Sequence, residues 1–270
     1  MYEPFWQLQH KPFEPGAEGP FYFPGQSHQA ALLKLRYAVE SRRSGALLVG
    51  PSGSGKTLAL TMLRDTLDKS LSPFAHLVFP QMPAGELLAY LAAELTGGDL
   101  RSGCPPICES VRQIERFLSD NAQAGRHAVV AVDEAHLLDA DGLESLRLLM
   151  NFQHQGSPAL TLILSGQPPL LLLAQRAPAF EERLAMTCLV APLTRQETAG
   201  YVAHRLQAAG AHRPLFEQAA LGTLFELTHG VARRINRLCD LALLIGYAEG
   251  QQTISAPALE TVWHELAIAG

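Results

Sequence analysis

The octapeptide Gly50-Pro-Ser-Gly-Ser-Gly-Lys-Thr57 narrows what this chain can become more than any other stretch. It fits the pattern G-x-x-x-x-G-K-[ST], which works at the junction of a buried strand and a helix. The flanks supply that junction. Residues 46–49 form a short apolar run, and Leu58, Ala59, Leu60, Met62 and Leu63 continue as a helix. Glycines here let backbone N–H groups turn inward on phosphate oxygens, and the helix N-terminus adds a positive dipole end. Gly50, Pro51, Ser52, Gly53, Ser54, Gly55, Lys56, Thr57 and Leu58 are therefore the candidate cradle for ATP. Lys56 is expected on the β- and γ-phosphates, and Thr57 is expected to hold Mg²⁺ through its hydroxyl. The competing reading is a flexible Gly/Ser turn. Only four lysines occur in the chain (Lys11, Lys34, Lys56 and Lys69), so a lysine placed here by chance is rare.

With 270 residues, 47% of them hydrophobic, the chain can bury one large core or a large and a small one. A net charge of −5 argues against a passive, high-affinity nucleic-acid binder. All but four of the 21 basic residues are arginine, which recognises phosphate through a planar fork, so local clusters still matter. The N-terminus lacks the basic start and apolar core of a signal peptide, and no apolar run is long enough to span a bilayer. A cytoplasmic location is expected, with peripheral attachment at the inner membrane as the open alternative. Cys104, Cys108, Cys188 and Cys239 offer no second short-spaced pair for zinc and are expected to be reduced.

From residue 45 to about 193, short apolar runs alternate with amphipathic stretches, the signature of a parallel α/β sheet. Strands are expected over 46–49, 76–79, 128–132, 160–164 and 187–190. Helices are expected over 29–39, 56–69, 85–95, 110–121, 143–152 and 170–175. After Leu193 the strands stop, and four helices follow near 195–208, 216–228, 232–248 and 256–266. Loops are expected over 97–107 and 208–214. The division is thus 1–193 for an α/β domain that includes the N-terminal segment, and 194–270 for a small helical one. Seven aromatics lie in the first 23 residues. They either anchor the segment to a domain surface or, ahead of the helix at 29–39, wall an adenine pocket.

Residues 129–132 form an apolar strand that ends in Asp133 and Glu134. At the C-terminal edge of a parallel sheet such carboxylates face the ligand crevice. Asp133 is placed to hold Mg²⁺ and Glu134 to polarise an attacking water. A second strand, from Thr161, ends in Ser165-Gly166-Gln167. Gln167 is the first choice and Ser165 the second for bonding that water or the γ-phosphate, against a plain solvated turn. Arg183 follows Glu181 and Glu182, and on charge alone a surface pairing with them is favoured. Arg233, Arg234 and Arg237 open the third helix after the α/β region. From charge alone a solvated face, a phosphate contact and a nucleic-acid contact are all open.

Together these pieces resemble an AAA+ ATPase, and more narrowly the GspA/ExeA branch associated with type II secretion and related pilus biogenesis. The resemblance covers nearly the whole chain. It runs from Lys11-Pro12-Phe13 through the loop, Asp133-Glu134-Ala135-His136 and Ser165-Gly166-Gln167-Pro168. It continues through Tyr201 and His204-Arg205-Leu206 to Gly230-Val-Ala-Arg233-Arg-Ile-Asn236-Arg-Leu-Cys-Asp240. It implies a P-loop NTPase with a parallel five-stranded sheet flanked by helices, followed by a small all-helical lid. It also implies Mg²⁺-dependent ATP hydrolysis that assists assembly of a secretion or pilus membrane complex. Arg183 resembles the arginine finger acting in trans, which implies a homo-oligomeric ring or filament, and Arg233 resembles the sensor arginine of the lid. Ala232 and Pro169 depart from the family pattern, but neither removes a catalytic group. Chains of that branch often continue into a membrane helix and a periplasmic peptidoglycan-binding part. Neither is present in these residues, which weakens any expectation that they contact the cell wall. The main alternative is an ATP-dependent, DNA-bound transposition regulator of the TniB/MuB kind, with DNA as its partner. The letters Asp-Glu-Ala-His suggest an RNA helicase, but the second RecA-like domain such enzymes need is missing after Leu193.

Overall fold

The computed structural model describes residues 1–14, 19–100 and 103–268. Arg101 and Ser102, inside the loop expected over 97–107, lie outside the described residues. Two compact units emerge: His28–Ser52 with Lys56–Val190, and Met1–Ser27 with Gly53–Gly55 and Ala191–Gly270.

The first unit holds every strand among the described residues. These are β1 (Gly45–Val49), β2 (Phe74–Leu77), β3 (Ala128–Val132), β4 (Gln153–His154), β5 (Ser157–Pro158), β6 (Leu160–Gly166) and β7 (Leu184–Leu189). Its helices are α1 (Gln26–Glu40, here from His28), α2 (Lys56–Thr66), α3 (Ala84–Thr96), α4 (Ile107–Gln123), α5 (Ala140–Leu149), α6 (Pro169–Gln175) and α7 (Pro178–Glu181). Five strands form one sheet in the order β2-β3-β6-β1-β7, every pair parallel. The three central strands are buried along their whole length, because helices cover both faces. Alternation divides their side chains. Leu47, Val49, Val130, Val132, Leu162 and Leu164 enter one core with α3 to α6. Ala46, Leu48, Val129, Ala131 and Ile163 enter the other with α1 and α2.

All five expected strands are present, and the two at the sheet edges are the displaced ones. β2 ends at Leu77, leaving Val78 and Phe79 outside it and exposed, and β7 begins three residues earlier than expected. Edge strands have one paired side, so apolar alternation locates their ends poorly. The β4–β5 hairpin is absent from the sequence expectation. Its turn, Gln155-Gly156, has positive φ at both residues (51° and 78°), as a two-residue hairpin loop requires.

One buried histidine makes this unit acid-sensitive. His127 is 1% exposed, and its Nε2 lies 2.9 Å from Thr161 Oγ1. That hydroxyl already donates to Arg43 O at 2.6 Å, so it accepts from His127, which fixes the neutral Nε2–H tautomer. Burial, reinforced by the charge of Arg42, lowers the His127 pKa to about 4. Between pH 6.5 and about 4 the unfolded chain therefore binds a proton that the folded one refuses, and stability falls as pH falls through that window. Going from pH 7 to pH 5 is expected to cost about 2 kcal/mol at this site. Urea unfolding at the two pH values, compared with His127→Asn, checks it. An equal pH slope in both proteins would refute the assignment.

The second unit is helical: α8 (Arg195–Ala208), α9 (Gln218–Thr228), α10 (Ala232–Ala248) and α11 (Ala256–Ile268). α8 starts with a capping box in which Thr194 and Glu197 satisfy each other's backbone N–H groups. No described residue past Leu193 belongs to a strand, although an isolated bridge joins Phe216 and Ile254. The aromatic N-terminus is part of this unit. The sequence pattern groups residues 1–193 together, whereas contacts join Met1–Ser27 to the helices and divide the chain at Val190/Ala191. Tyr2, Trp6, Leu8 and Phe13 are buried with Leu206, Phe216, Leu238 and Leu243. Trp6 Nε1 donates to Leu243 O at 2.9 Å, and a Cβ on Gly246 would come within 3.0 Å of the Trp6 ring. Arg205, 6% exposed, clamps the segment by donating to Pro12 O at 2.6 Å and Glu14 O at 3.0 Å, with its guanidinium 5.1 Å from the Phe21 ring. Burial holds its pKa below the ordinary arginine value. Trp6→Ala is expected to destabilise the helical unit by about 3–5 kcal/mol, read as a lower urea midpoint by circular dichroism. An unchanged midpoint would mean that the segment is only laid on.

Candidate phosphate and metal site

β1 runs into the glycine-rich loop, and α2 opens at Lys56, the junction the motif demands. Gly53 and Gly55 have φ of 76° and 91°, a region that side-chain-bearing residues avoid. Lys56 is 5% exposed, and its Nζ donates to Gly50 O at 3.0 Å and Pro51 O at 3.1 Å. The ammonium is thus held inside the turn instead of reaching into solvent. Ser54 is also buried.

Asp133 leaves β3 at the same edge of the sheet and is 2% exposed. Its carboxylate is fully organised. Oδ2 accepts from Thr57 Oγ1 at 2.5 Å, while Oδ1 accepts from Ser165 Oγ at 2.7 Å and Glu134 N at 3.0 Å. Its own N–H donates to Leu77 O at 2.8 Å. The two residues expected to hold Mg²⁺ are therefore in direct contact. A hydroxyl beside a carboxylate is the hard-oxygen pair that magnesium takes when phosphate and water oxygens complete its octahedron. No group of three or more His, Cys, Asp or Glu able to hold a metal occurs among the described residues.

Glu134 follows with φ 49° and ψ 31°, a left-handed conformation in a residue with a long side chain. Such backbone costs about 1–3 kcal/mol and persists where its surroundings impose it. Its side chain is 40% exposed, with Oε2 3.4 Å from His136 Nδ1. The same ring nitrogen lies 3.4 Å from Gln167 N. A nitrogen that accepts from the Gln167 N–H has no proton to give Glu134, so His136 bonds one strand end and stands beside the other. It carried no role in the sequence reading, and the signal available was its place three residues after Asp133 in the Asp-Glu-Ala-His run. A Cβ on Gly166 would meet His136 N at 3.1 Å, so the small residue there keeps this approach open. Ser165, 0% exposed, spends its hydroxyl on Asp133 and so positions that carboxylate, while Gln167 is half-buried.

Arg183 lies away from these groups. It sits one residue before Leu184, whose register partner is Gly45 at the opposite end of β1 from the loop. Among the described residues it forms no ion pair, so the surface pairing with Glu181 or Glu182 does not occur. Arg233 belongs to the helical unit as the second residue of α10. Its backbone N donates to Gly53 O at 3.2 Å within that unit, and a Cβ on Gly53 would meet Arg233 Cβ at 2.7 Å. Arg234 and Arg237 share the helix.

Residues 39–173 match a family model described as an AAA domain. General secretion pathway protein A of Aeromonas hydrophila is 32% identical over 257 residues. That match covers 94% of this chain and 46% of the relative, so the chain spans about half the length of the curated relative it matches. Among solved structures, Drosophila ORC bound to DNA superposes with a TM-score of 0.73 at 17% identity, covering 97% of this chain and 66% of that one. The ORC2 protein of Aeropyrum pernix, in ADPNP–ADP complexes, gives 0.69 at 15% identity, covering 95% and 72%. At these identities the likeness is one of fold. The family match spans half of the residues and contains the loop, Asp133 and Glu134, and the chain belongs to the AAA domain family of P-loop ATPases.

Proposed function

We propose that this chain is a magnesium-dependent ATPase that works as an oligomeric motor or switch in assembling a secretion or pilus membrane complex. The observation that carries the catalytic part is the contact of Thr57 with an Asp133 carboxylate held by Ser165 and by the Glu134 backbone. Backbone N–H groups of residues 50–57 and the Lys56 ammonium bind the phosphates and offset the charge that grows on them in the transition state. Thr57 and Asp133 would hold Mg²⁺, which supplies further charge neutralisation when bound. Glu134 accepts the proton of the attacking water as its oxygen bonds the terminal phosphorus and the bond to the bridging oxygen breaks, releasing ADP and phosphate. Gln167, whose backbone N–H is held by His136 Nδ1, hydrogen-bonds the water or the terminal phosphate. Arg233 is the lid's phosphate sensor.

Arg183 acts on a neighbour. Five residues of β1, at about 3.3 Å each, separate its level in the sheet from Gly50. That gap of roughly 17 Å exceeds the reach of an arginine side chain, which supports a role in trans within a ring or filament. The secretion context rests on the Aeromonas relative. No helix among the described residues is long and apolar enough to cross a membrane. A DNA-linked role of the transposition-regulator kind is the second reading, favoured by the fold shared with a DNA-bound ORC. Affinity capture of Glu134→Gln in ATP, with turnover measured with and without duplex DNA at two salt concentrations, separates them. Recovery of membrane secretion components supports the first reading. Strong, salt-sensitive stimulation by DNA moves the assignment to the second.

A further inference from the structure

The phosphate loop and Asp133 lie where strands end. The turns where strands begin gather positive charge, in a chain whose net charge is −5. Arg42 and Arg43 join α1 to β1, Lys69 stands between α2 and β2, and Arg126 between α4 and β3. Hydrogen bonds tie these turns together. Arg42 Nη2 donates to Gly125 O at 3.4 Å, and His127 N donates to Ser70 O at 2.8 Å. Thr161 Oγ1 lies 2.9 Å from His127 Nε2 and donates to Arg43 O at 2.6 Å. In the order β2-β3-β6-β1 the outer turns are three strand spacings apart, about 14 Å. All four cations are exposed, and among the described residues none forms an ion pair. The carboxylates beside them are engaged elsewhere: Glu40 with Arg36 at 2.6 Å, and Asp68 with Ser70 N at 2.8 Å.

The α1–β1 turn adds a cavity to this charge. Arg43 N donates to Ala38 O at 2.8 Å and Arg42 N to Val39 O at 2.9 Å. In that helix-ending motif the left-handed residue is ordinarily glycine, yet Arg42 occupies it at φ 48°. Arg42 and Arg43 line a cavity of about 380 Å³ with Ser41, Ser44, Gly156 and Ser157. Two guanidinium groups and three hydroxyls opening on one cavity suit the free oxygens of a phosphate. Beside it, α1 turns an apolar stripe outward. Leu33 is 70% exposed and Tyr37 53%, one helical turn apart, with exposed Lys34 between them. The Tyr37 hydroxyl is hydrogen-bonded to Arg43 and Ser41, which sets the stripe against the cavity. A nucleic acid has no use for an exposed leucine. Leucine and tyrosine flanked by cations suit the boundary between lipid headgroups and acyl chains.

We propose that Arg42, Arg43, Ser41 and Ser44 receive the phosphate of an anionic phospholipid, docking the α/β unit on a membrane surface with Leu33 and Tyr37 against the lipid. The inference stands apart from the ATPase reading, because no group of the phosphate loop takes part and its test uses no nucleotide. The full chain is sedimented with vesicles of phosphatidylglycerol and phosphatidylcholine in equal parts, and with phosphatidylcholine alone. Binding is expected to the first only and to weaken as salt is raised. A basic residue at an anionic surface contributes about fivefold in partitioning. Arg43→Ala should therefore weaken binding about fivefold, and Arg42→Gly combined with Arg43→Ala about 25-fold. Arg42→Gly alone keeps or raises the urea midpoint, because glycine suits φ 48°, which separates lost binding from lost fold. Leu33→Ser, which alters no charge, also lowers binding by removing apolar area from the contact. Equal binding to both vesicles, or full binding by the double variant or by Leu33→Ser, overturns the proposal. Arginine-dependent binding of inorganic phosphate without recruitment to vesicles overturns it in favour of a soluble phosphate. Recruitment to duplex DNA in preference to anionic vesicles overturns it in favour of a nucleic-acid surface.

Discussion

Glu134→Gln is expected to reduce ATP turnover by about 10²- to 10⁴-fold, the range for loss of a general base, with nucleotide affinity kept within a few-fold. The separation follows from where the groups sit. On the proposed reading the phosphate contacts come from the loop and Lys56 and the metal ligands are Thr57 and Asp133, none of which the substitution touches. Asp133 takes its third hydrogen bond from the backbone N–H of residue 134, which glutamine retains. The left-handed backbone there is equally tolerable to glutamine, so the fold has no reason to shift. What is lost is the carboxylate proposed to accept the proton of the attacking water. Phosphate release in the steady state, with calorimetric titration of MgATP, measures both quantities. Turnover equal to wild type would remove Glu134 from the mechanism. Joint loss of turnover and binding would make it part of the nucleotide cradle.

For Arg183→Ala the expected loss is about 10³- to 10⁵-fold in kcat, the contribution of an arginine finger to phosphoryl transfer. Nucleotide affinity and thermal midpoint should change little, because Arg183 is partly exposed and forms no ion pair among the described residues. Its level in the sheet, opposite the start of β1, leaves its own loop out of reach. Specific turnover of the wild-type protein should accordingly fall on dilution below the dissociation constant of the oligomer. Specific activity independent of protein concentration down to the nanomolar range would contradict a neighbour's arginine. So would an Arg183→Ala protein with a changed nucleotide affinity.

The phosphate loop was legible because its spacing is covalent: eight consecutive residues between an apolar run and a helix carry the geometry wherever the rest of the chain goes. The central strands β1, β3 and β6 were legible for a related reason, since burial on both faces writes a continuous apolar run into the sequence. Edge strands, with one paired side, left a weaker pattern, and β2 and β7 end elsewhere than the alternation suggests. Nothing in Gln155-Gly156 singles out a hairpin until the flanking residues pair.

Ser165 shows what a linear reading lacks. By order along the chain Gln167 and Ser165 are equivalent polar ends of one strand. In the sheet β6 lies between β1 and β3, so Ser165 faces the carboxylate of Asp133 and completes its coordination. Strand order is a property of three-dimensional packing, and it makes Ser165 a positioning residue. The aromatic N-terminus is a parallel case: its rings announce burial, but the helices that bury them begin some 190 residues later.

From sequence alone came the groups able to meet a triphosphate, namely the loop, Lys56, Thr57 and the carboxylates closing an apolar strand, because those requirements are local in the chain. Only the folded molecule decided which of them touch. It also joined the first residues to the helices, because contacts between distant segments are set by how apolar faces pack against one another.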